Sequence, residues 1–281
     1  MYEIMKKRVL NSAVKLMEIY APHVARKAEP GQFVILRVSE DGERIPLTIA
    51  DFDRQKGTIT IIFQEVGKTT KELGSLEEGE VLLDFAGPLG KASEFENDIK
   101  KAIVIGGGVG TAIAYPQAKK LHSMGIDVYG IIGFRNKDLI ILQDEMENVC
   151  KKLFVTTDDG SNGNKGFVTD ALNRMLAEDG EYQLVIAIGP LIMMKMVSAA
   201  TRQSGIKTIV SMNPVMIDGT GMCGGCRLTV GGKTKFACVD GPDFDGHQVD
   251  FEEAMRRQSF YRDEEKTAQE HECRIGGLNN A

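Results

Sequence analysis

One stretch of the chain has residue types suited to a metal centre: Asp218-Gly-Thr-Gly-Met-Cys223-Gly-Gly-Cys226, followed by Cys238. With cysteine in place of Asp218 this would be the C-x4-C-x2-C…C spacing of a plant-type [2Fe–2S] cluster. A carboxylate at the first position offers a harder oxygen donor instead. Of the five cysteines, Cys150 and Cys273 stand apart from the other three. Such clustering argues for metal rather than disulfides. Two other readings stay open at this point. Cys223, Cys226, Cys238 and His247 form a set that zinc could take as a Cys3His site; plain buried thiols are the other. Gly219, Gly221, Gly224 and Gly225 suit a loop wrapped closely round a cluster, with backbone N–H groups pointing at sulfur.

A second motif lies upstream. The apolar run 102–105 leads into Gly106-Gly-Gly108-Val-Gly110-Thr111-Ala and then a helical pattern. A strand, a glycine turn and a helix N-terminus offer free N–H groups and a favourable dipole to a pyrophosphate. Thr111 stands where G-x-G-x-x-G has its third glycine, and the next strand ends in Gly133-Phe-Arg135-Asn without a ribose-gripping acid. This is therefore not an ordinary dinucleotide fingerprint. Gly67-Lys68-Thr69 is no phosphate loop of the Walker type, because Ile62 stands where its first glycine belongs. Asp243-Phe-Asp245-Gly246 lacks the further carboxylates of a calcium loop and reads as part of the loop after Cys238.

The elements that must position these motifs fall into three regions. Residues 1–97 carry β-rich runs at 32–38, 58–64 and 81–85, separated by Gly, Asp and Pro, and predict a small antiparallel barrel. Residues 98–213 alternate short apolar strands (102–105, 128–132, 153–155, 184–188 and 208–210) with helical stretches, which predicts a parallel sheet. Residues 214–281 hold the glycine- and cysteine-rich loop and a charged, solvated tail. The fold class is multidomain, β followed by α/β.

Composition narrows the function. A net charge of −6 and a pI near 5.4 argue against a nucleic-acid surface, since phosphate contacts need clustered Lys and Arg. No apolar run is long enough to span a membrane, and the charged N-terminal stretch does not resemble a signal peptide, so a cytoplasmic location is expected. The chain has four histidines and no Ser-His-Asp or paired-carboxylate pattern, which speaks against hydrolytic chemistry.

The order of barrel, Gly106–Gly110 turn, Gly133-Phe-Arg135-Asn, and Ile188-Gly189-Pro190 with Met193-Met194 resembles the ferredoxin–NADP reductase superfamily. The Asp218–Cys238 stretch resembles the subset ending in a [2Fe–2S] domain. That subset includes the electron-transfer subunits of dihydroorotate dehydrogenase and the small subunits of NADH-dependent reduced ferredoxin:NADP oxidoreductases. The resemblance covers nearly the whole chain, and implies FAD in the barrel, NAD(H) on the parallel sheet and the cluster at the C-terminal side.

By the same resemblance, Arg44, Pro46, Leu47 and Thr48 border the flavin, with the Thr48 hydroxyl near N5 and no acid–base residue needed. Arg44 lies four positions before Thr48 rather than three, Ile45 taking the usual arginine place. Ile62, Phe63, Gln64, Thr69 and Thr70 match the strand and turn around the FAD pyrophosphate. Gly106, Gly108, Gly110 and Thr111 match the dinucleotide pyrophosphate site, Gly189 and Pro190 the nicotinamide site, and Asp158 a ribose contact. Arg135 would suit a 2′-phosphate and so keeps NADP(H) open beside NAD(H).

An aspartate at the first ligand position, with Cys223, Cys226 and Cys238, matches the ferredoxin:NADP oxidoreductase small subunits. That implies a heterodimer with a larger flavin and [4Fe–4S] subunit, which handles ferredoxin in a bifurcating reaction. The alternatives are a dihydroorotate dehydrogenase electron-transfer subunit and a zinc-stabilised nucleotide-binding regulatory module.

Overall fold

The structure, a computed structural model, describes residues 2–178 and 181–260. The expected solvated tail and Cys273 lie outside the described residues. The N-terminal unit is an antiparallel sheet of β1 (Tyr2–Val9), β2 (Val14–Tyr20), β3 (Phe33–Arg37), β4 (Ile45–Asp53), β5 (Thr58–Gln64), β6 (Val81–Leu82) and β7 (Asp84–Leu89). Their order is β6-β1-β2-β5-β4-β3-β7. The two outermost strands are consecutive in sequence, joined only by Leu83, whose N–H donates to Arg37 O at 3.1 Å. One segment thus serves both edges and nearly closes the barrel, leaving little unpaired backbone. This is why the run expected as one strand at 81–85 is two.

Inside the barrel pack Ile4, Met17, Ile19, Leu36, Ile59, Ile61 and Phe63, with Leu73 of α2 (Lys68–Ser75) plugging one end. The short α1 (Pro22–Ala25) follows β2. The hairpin β1–β2 was not expected. In β1 only Ile4 is buried, and Met5, Lys6, Arg8 and Val9 are all exposed, so charged and apolar residues are open to solvent alike and the period-two signal is lost.

The second unit stacks the parallel strands β8 (Lys101–Gly107), β9 (Asp127–Phe134), β10 (Lys152–Thr157), β11 (Leu184–Ile188) and β12 (Lys207–Ser211) in the order β10-β9-β8-β11-β12. Helices α3 (Thr111–Ser123) and α4 (Gln143–Val149) cover one face, and α5 (Val168–Glu178) and α6 (Leu191–Arg202) the other. Burial on both faces explains why these strands are continuous apolar runs rather than alternating ones. The connection reverses direction between β8 and β11, which leaves a crevice beyond their C-terminal ends.

The third segment forms a hairpin, β13 (Arg227–Val230) and β14 (Lys233–Phe236), followed by α7 (Ala237–Asp240), β15 (Asp243–Asp245) and α8 (Phe251–Gln258). Residues 243–245, expected in a loop, pair antiparallel with the open edge of β12, Ser211 opposite Asp243. With one apolar residue in three they have no periodicity of their own; satisfying the backbone groups of that edge makes them a strand. The module is therefore built into the second unit. Barrel residues Val14, Leu16, Ala50 and Ile62 likewise join the core on the α3 side, and Phe33 and Ile35 join the core that includes Cys226, Cys238 and Phe251.

All three units meet at Asp243. Ser93 of the barrel-to-sheet linker donates its hydroxyl to Asp243 Oδ2, Gln117 of α3 donates to Ser93 Oγ at 2.6 Å, and Ser211 also bonds the carboxyl. Asp243 Oδ1 and Gln117 Oε1 are buried acceptors without a partner. Burial holds the Asp243 carboxyl above the usual range, against the lowering effect of its hydroxyl and amide donors. A raised native value means the folded chain keeps a proton that the unfolded chain releases, so stability falls as pH rises through that value. Asp243→Asn, which mimics the neutral acid, is expected to melt higher than wild type at about pH 8. The difference should close as pH falls and vanish below the ordinary carboxylate range. Thermal melts across that range check it, and equal destabilisation at every pH would mean the charged form is required.

Candidate functional site

The expected nucleotide residues gather along one edge, at the C-terminal ends of four parallel strands: Gly106 near the end of β8 with Gly108, Gly110 and Thr111 just after it, Arg135 after β9, Asp158 after β10, and Gly189 and Pro190 after β11. The glycines permit close approach. A Cβ at Gly110 would lie 2.4 Å from Ile188 O and 2.8 Å from Gly189 Cα, and one at Gly106 would lie 2.7 Å from Thr111 Cα. Gly108 has φ +55° and faces open space, where backbone N–H groups can meet a phosphate. Thr111 is fully buried at the start of α3, and its hydroxyl has no protein partner. The missing side chain of Gly106 is what makes room for Thr111 there.

Sequence reading passed over Gly107, which closes the same crevice. A Cβ on it would stand 2.5 Å from Met193 Sδ, and one on Gly189 would stand 3.1 Å from Gly107 Cα. The middle glycine of the triplet was the signal. Exposed Arg135 and Asp158 are brought together by their loops: Asp158 N–H donates to Phe134 O at 3.0 Å and Asp159 N–H to Arg135 O at 3.2 Å.

On the barrel, Thr48 is half-buried in β4 opposite Phe33, with Leu47 opposite Val34 and Pro46 opposite Ile35. Strand alternation puts Pro46 and Thr48 on one face and Leu47 on the other, where it packs against the barrel core. Alternation also divides Ile62-Phe63-Gln64. Phe63 fills the barrel interior, Ile62 contacts the second unit and Gln64 is exposed. The threonine hydroxyls are partly engaged by the fold. Thr70 Oγ1 accepts from the N–H groups of Val66 and Gly67, each at 3.0 Å, and caps α2, while Thr69 Oγ1 donates to Glu43 at 3.3 Å. Arg44 is exposed, and its charge reaches Asp218.

The cysteine loop lies directly on the barrel. A Cβ at Gly219 (φ +80°) would be 2.4 Å from Ile35 Cδ1 and 3.1 Å from Leu89 Cδ1, so only glycine lets the loop rest on β3 and β7. Cys226 and Cys238 are buried with their sulfurs 3.2 Å apart. Burial, then the neighbouring Cys226, pushes the Cys238 thiol up to about 12. Cys223 is exposed, and backbone N–H groups, first that of Gly225 at 3.5 Å and then that of Asp218, hold its thiol below the usual value. The Asp218 carboxyl is also lowered, first by the Thr220 hydroxyl, which donates to Oδ2 together with the Thr220 N–H.

His247 does not join this set. Its Nε2 is 3.0 Å from Thr201 Oγ1, under α6, and among the described residues no three His, Cys, Asp or Glu side chains gather round a single ion position. The Cys3His arrangement is not formed. A two-iron cluster needs two pairs of ligands rather than one group of four around a point. Cys226 with Cys238, their sulfurs 3.2 Å apart, offers one such pair, and Asp218 with Cys223, on one loop where the Asp218 N–H faces the Cys223 thiol, offers a second. The residues fit a cluster. Cys150 stands apart, its thiol pushed up to about 12 by burial.

Comparison with known proteins agrees with this arrangement. Residues 104–199 match the oxidoreductase NAD-binding domain, and residues 213–250 match the iron–sulfur cluster binding domain of dihydroorotate dehydrogenase B. Fold and site together define the class: an oxidoreductase subunit of the ferredoxin–NADP reductase fold with an iron–sulfur domain attached. A Thermotoga maritima homolog of the dihydroorotate dehydrogenase B (NAD(+)) electron transfer subunit is 46% identical, over 98% of this chain and 96% of its own. A Clostridium beijerinckii protein, described as an uncharacterized protein in the adh 3′ region, is 53% identical over 96% and 93%. A solved structure, reported for flavin-based electron bifurcation in the NADH-dependent reduced ferredoxin–NADP oxidoreductase, superposes with TM-score 0.91 at 45% identity, over 96% and 97% of the two chains. The chain belongs to the family of electron-transfer subunits related to that of dihydroorotate dehydrogenase B. Among the described residues no helix is long and apolar enough to cross a membrane.

Proposed function

We propose that this chain is the small subunit of a bifurcating NADH-dependent ferredoxin:NADP oxidoreductase, moving electrons between a [2Fe–2S] cluster, FAD and NAD(H) in the cytoplasm. The seat of the cysteine loop carries the electron-transfer part of this reading, and Asp218 at the first ligand position carries the choice of enzyme. Gly219 rests on Ile35, and β3, which contains Ile35, pairs its Phe33 with Thr48. The loop that carries the proposed iron ligands and the strand that carries the expected flavin-facing hydroxyl thus both lie against β3.

In this reading Asp218, Cys223, Cys226 and Cys238 hold the cluster. Thr48, Pro46 and Arg44 face the flavin ring, and backbone at Gln64 and Thr69–Thr70 approaches the FAD phosphates. Gly106, Gly108, Gly110 and Thr111 cradle the pyrophosphate of NAD(H), Gly189 and Pro190 flank its nicotinamide, and Arg135 and Asp158 meet the adenosine ribose. When bound, the flavin exchanges a hydride with the nicotinamide and single electrons with the cluster. The chain's own residues supply orientation and exclude water, and Thr48 can offer a hydrogen bond without moving a proton. A larger flavin and [4Fe–4S] subunit would contact ferredoxin.

A dihydroorotate-oxidising partner is the second reading, favoured by the description of the matched iron–sulfur domain. Anaerobic purification with iron, sulfide, zinc and flavin analysis tests the cofactors: about two irons, about two sulfides and one flavin per chain are expected. Zinc without acid-labile sulfide would sink the proposal. Co-purification of the partner separates the two readings.

A further inference from the structure

Between Cys223 and Cys226 run two glycines, and an arginine holds each of their carbonyls. Gly224 O accepts from Arg227 Nη1 at 3.2 Å and from the Arg227 N–H at 3.3 Å. Gly225 O accepts from Arg257 Nη2 at 3.2 Å. Arg227 begins β13, but Arg257 comes from α8, beyond the residues 213–250 that match the iron–sulfur domain.

A peptide group is planar, so its carbonyl and the following N–H point to opposite edges. Drawing the Gly224 carbonyl outward therefore turns the Gly225 N–H inward, and that N–H lies 3.5 Å from Cys223 Sγ. The Gly225 carbonyl and the Cys226 N–H are coupled in the same way. A Gly-Gly pair has no intrinsic preference for these orientations, so groups outside the loop must select them. Arg257 is placed for this: its guanidinium lies 5.6 Å from the Phe260 ring, and Arg227, Arg257 and Cys223 line one cavity of about 220 Å³.

We propose that Arg227 and Arg257 are positioning residues which fix the Gly224–Gly225 peptides with their N–H groups toward the sulfurs and place two positive charges beside the metal centre, raising its reduction potential. This rests on the cysteine loop holding an iron–sulfur cluster. The sign follows from charge: reduction adds an electron, and both N–H donors and cations favour the more negative state.

Two variants of the full chain, Arg257→Gln and Arg257→Lys, are compared with wild type. In Arg257→Gln, the ratio of reduced to oxidised cluster at a fixed ambient potential near the wild-type midpoint should fall about tenfold, which is about 59 mV for one electron. The EPR signal of the reduced cluster should shift, with iron and flavin content unchanged. Arg257→Lys keeps the charge but not the planar fork, and should give a smaller fall. Amide hydrogen exchange of the metal-free chain is the second measurement, made on Arg227→Gln: Gly225, whose N–H faces Cys223 Sγ and whose peptide plane Arg227 holds, should lose protection. An unchanged potential in a loaded cluster overturns the proposal. Unchanged protection of the Gly225 amide in Arg227→Gln overturns it too, whatever group the cysteines hold. Absence of iron from the wild-type protein would instead overturn the cluster reading itself.

Discussion

Asp218→Ala is expected to give a chain that binds flavin but loads little iron. Asp218 is the one oxygen donor in the proposed ligand set, and its carboxyl is held ionised by the Thr220 hydroxyl, the Thr220 N–H and the nearby Arg44 charge. Alanine removes that donor. Even changes outside the immediate ligands of metal sites typically cost about 10–100-fold in affinity or activity. Loss of a ligand should cost cluster-dependent electron transfer at least that much. Asp218→Cys should restore loading with an altered spectrum and potential, because thiolate is a softer, more covalent donor than carboxylate. Iron and sulfide content, the visible spectrum and the flavin-to-protein ratio decide the matter. Normal occupancy, spectrum and potential in Asp218→Ala would assign the fourth ligand elsewhere and remove the main support for the ferredoxin:NADP oxidoreductase reading.

Gly110→Ala should have the largest effect on the nucleotide side. The added methyl would meet backbone, Ile188 O at 2.4 Å and Gly189 Cα at 2.8 Å, and backbone cannot rotate away as a flexible side chain can. Either the start of α3 or the turn after β11 must shift, and together these form the walls of the crevice. Overpacking of this kind costs about 1–3 kcal/mol of stability. Misplacing reactants by roughly 1 Å can cost about 100-fold in rate, so NADH-driven flavin reduction should slow by that order while cluster and flavin contents stay normal. Anaerobic stopped-flow with NADH, alongside a thermal melt, measures both. Wild-type rate and stability together would mean that the glycine turn does not shape the nicotinamide site.

Much of this was legible before folding. The strands of the parallel sheet appear as apolar runs because both their faces are buried. The Gly106–Gly110 turn and the Asp218–Cys238 spacing are local, so they survive as patterns in the linear chain. The barrel was half legible: β3 and β5 carry strong apolar signals, whereas β1 hides one buried isoleucine among charges. Apart from Arg44, just before β4, the residues expected at the flavin fall on β4, β5 and the first turn of α2, but the division of Ile62, Phe63 and Gln64 between core and surface and the capping use of Thr70 depend on strand alternation and on where α2 starts. His247 was a reasonable zinc candidate by spacing, and packing beneath α6 sends it to Thr201 instead.

The amino-acid order was sufficient to single out the short segments that can carry chemistry: three cysteines and an aspartate, a glycine turn, a hydroxyl on a strand. It could not reveal which distant groups complete them. Arg257 reaches Gly225 from 32 residues away, and Ser93 reaches Asp243 from 150. Neither pairing leaves a periodicity or spacing to read, because each comes from surfaces packing together after the strands have formed. A motif states which atoms are on offer. The closed barrel, the β12–β15 pairing and the α8 contact fix where those atoms point, since only packing orients a peptide plane or a buried carboxyl.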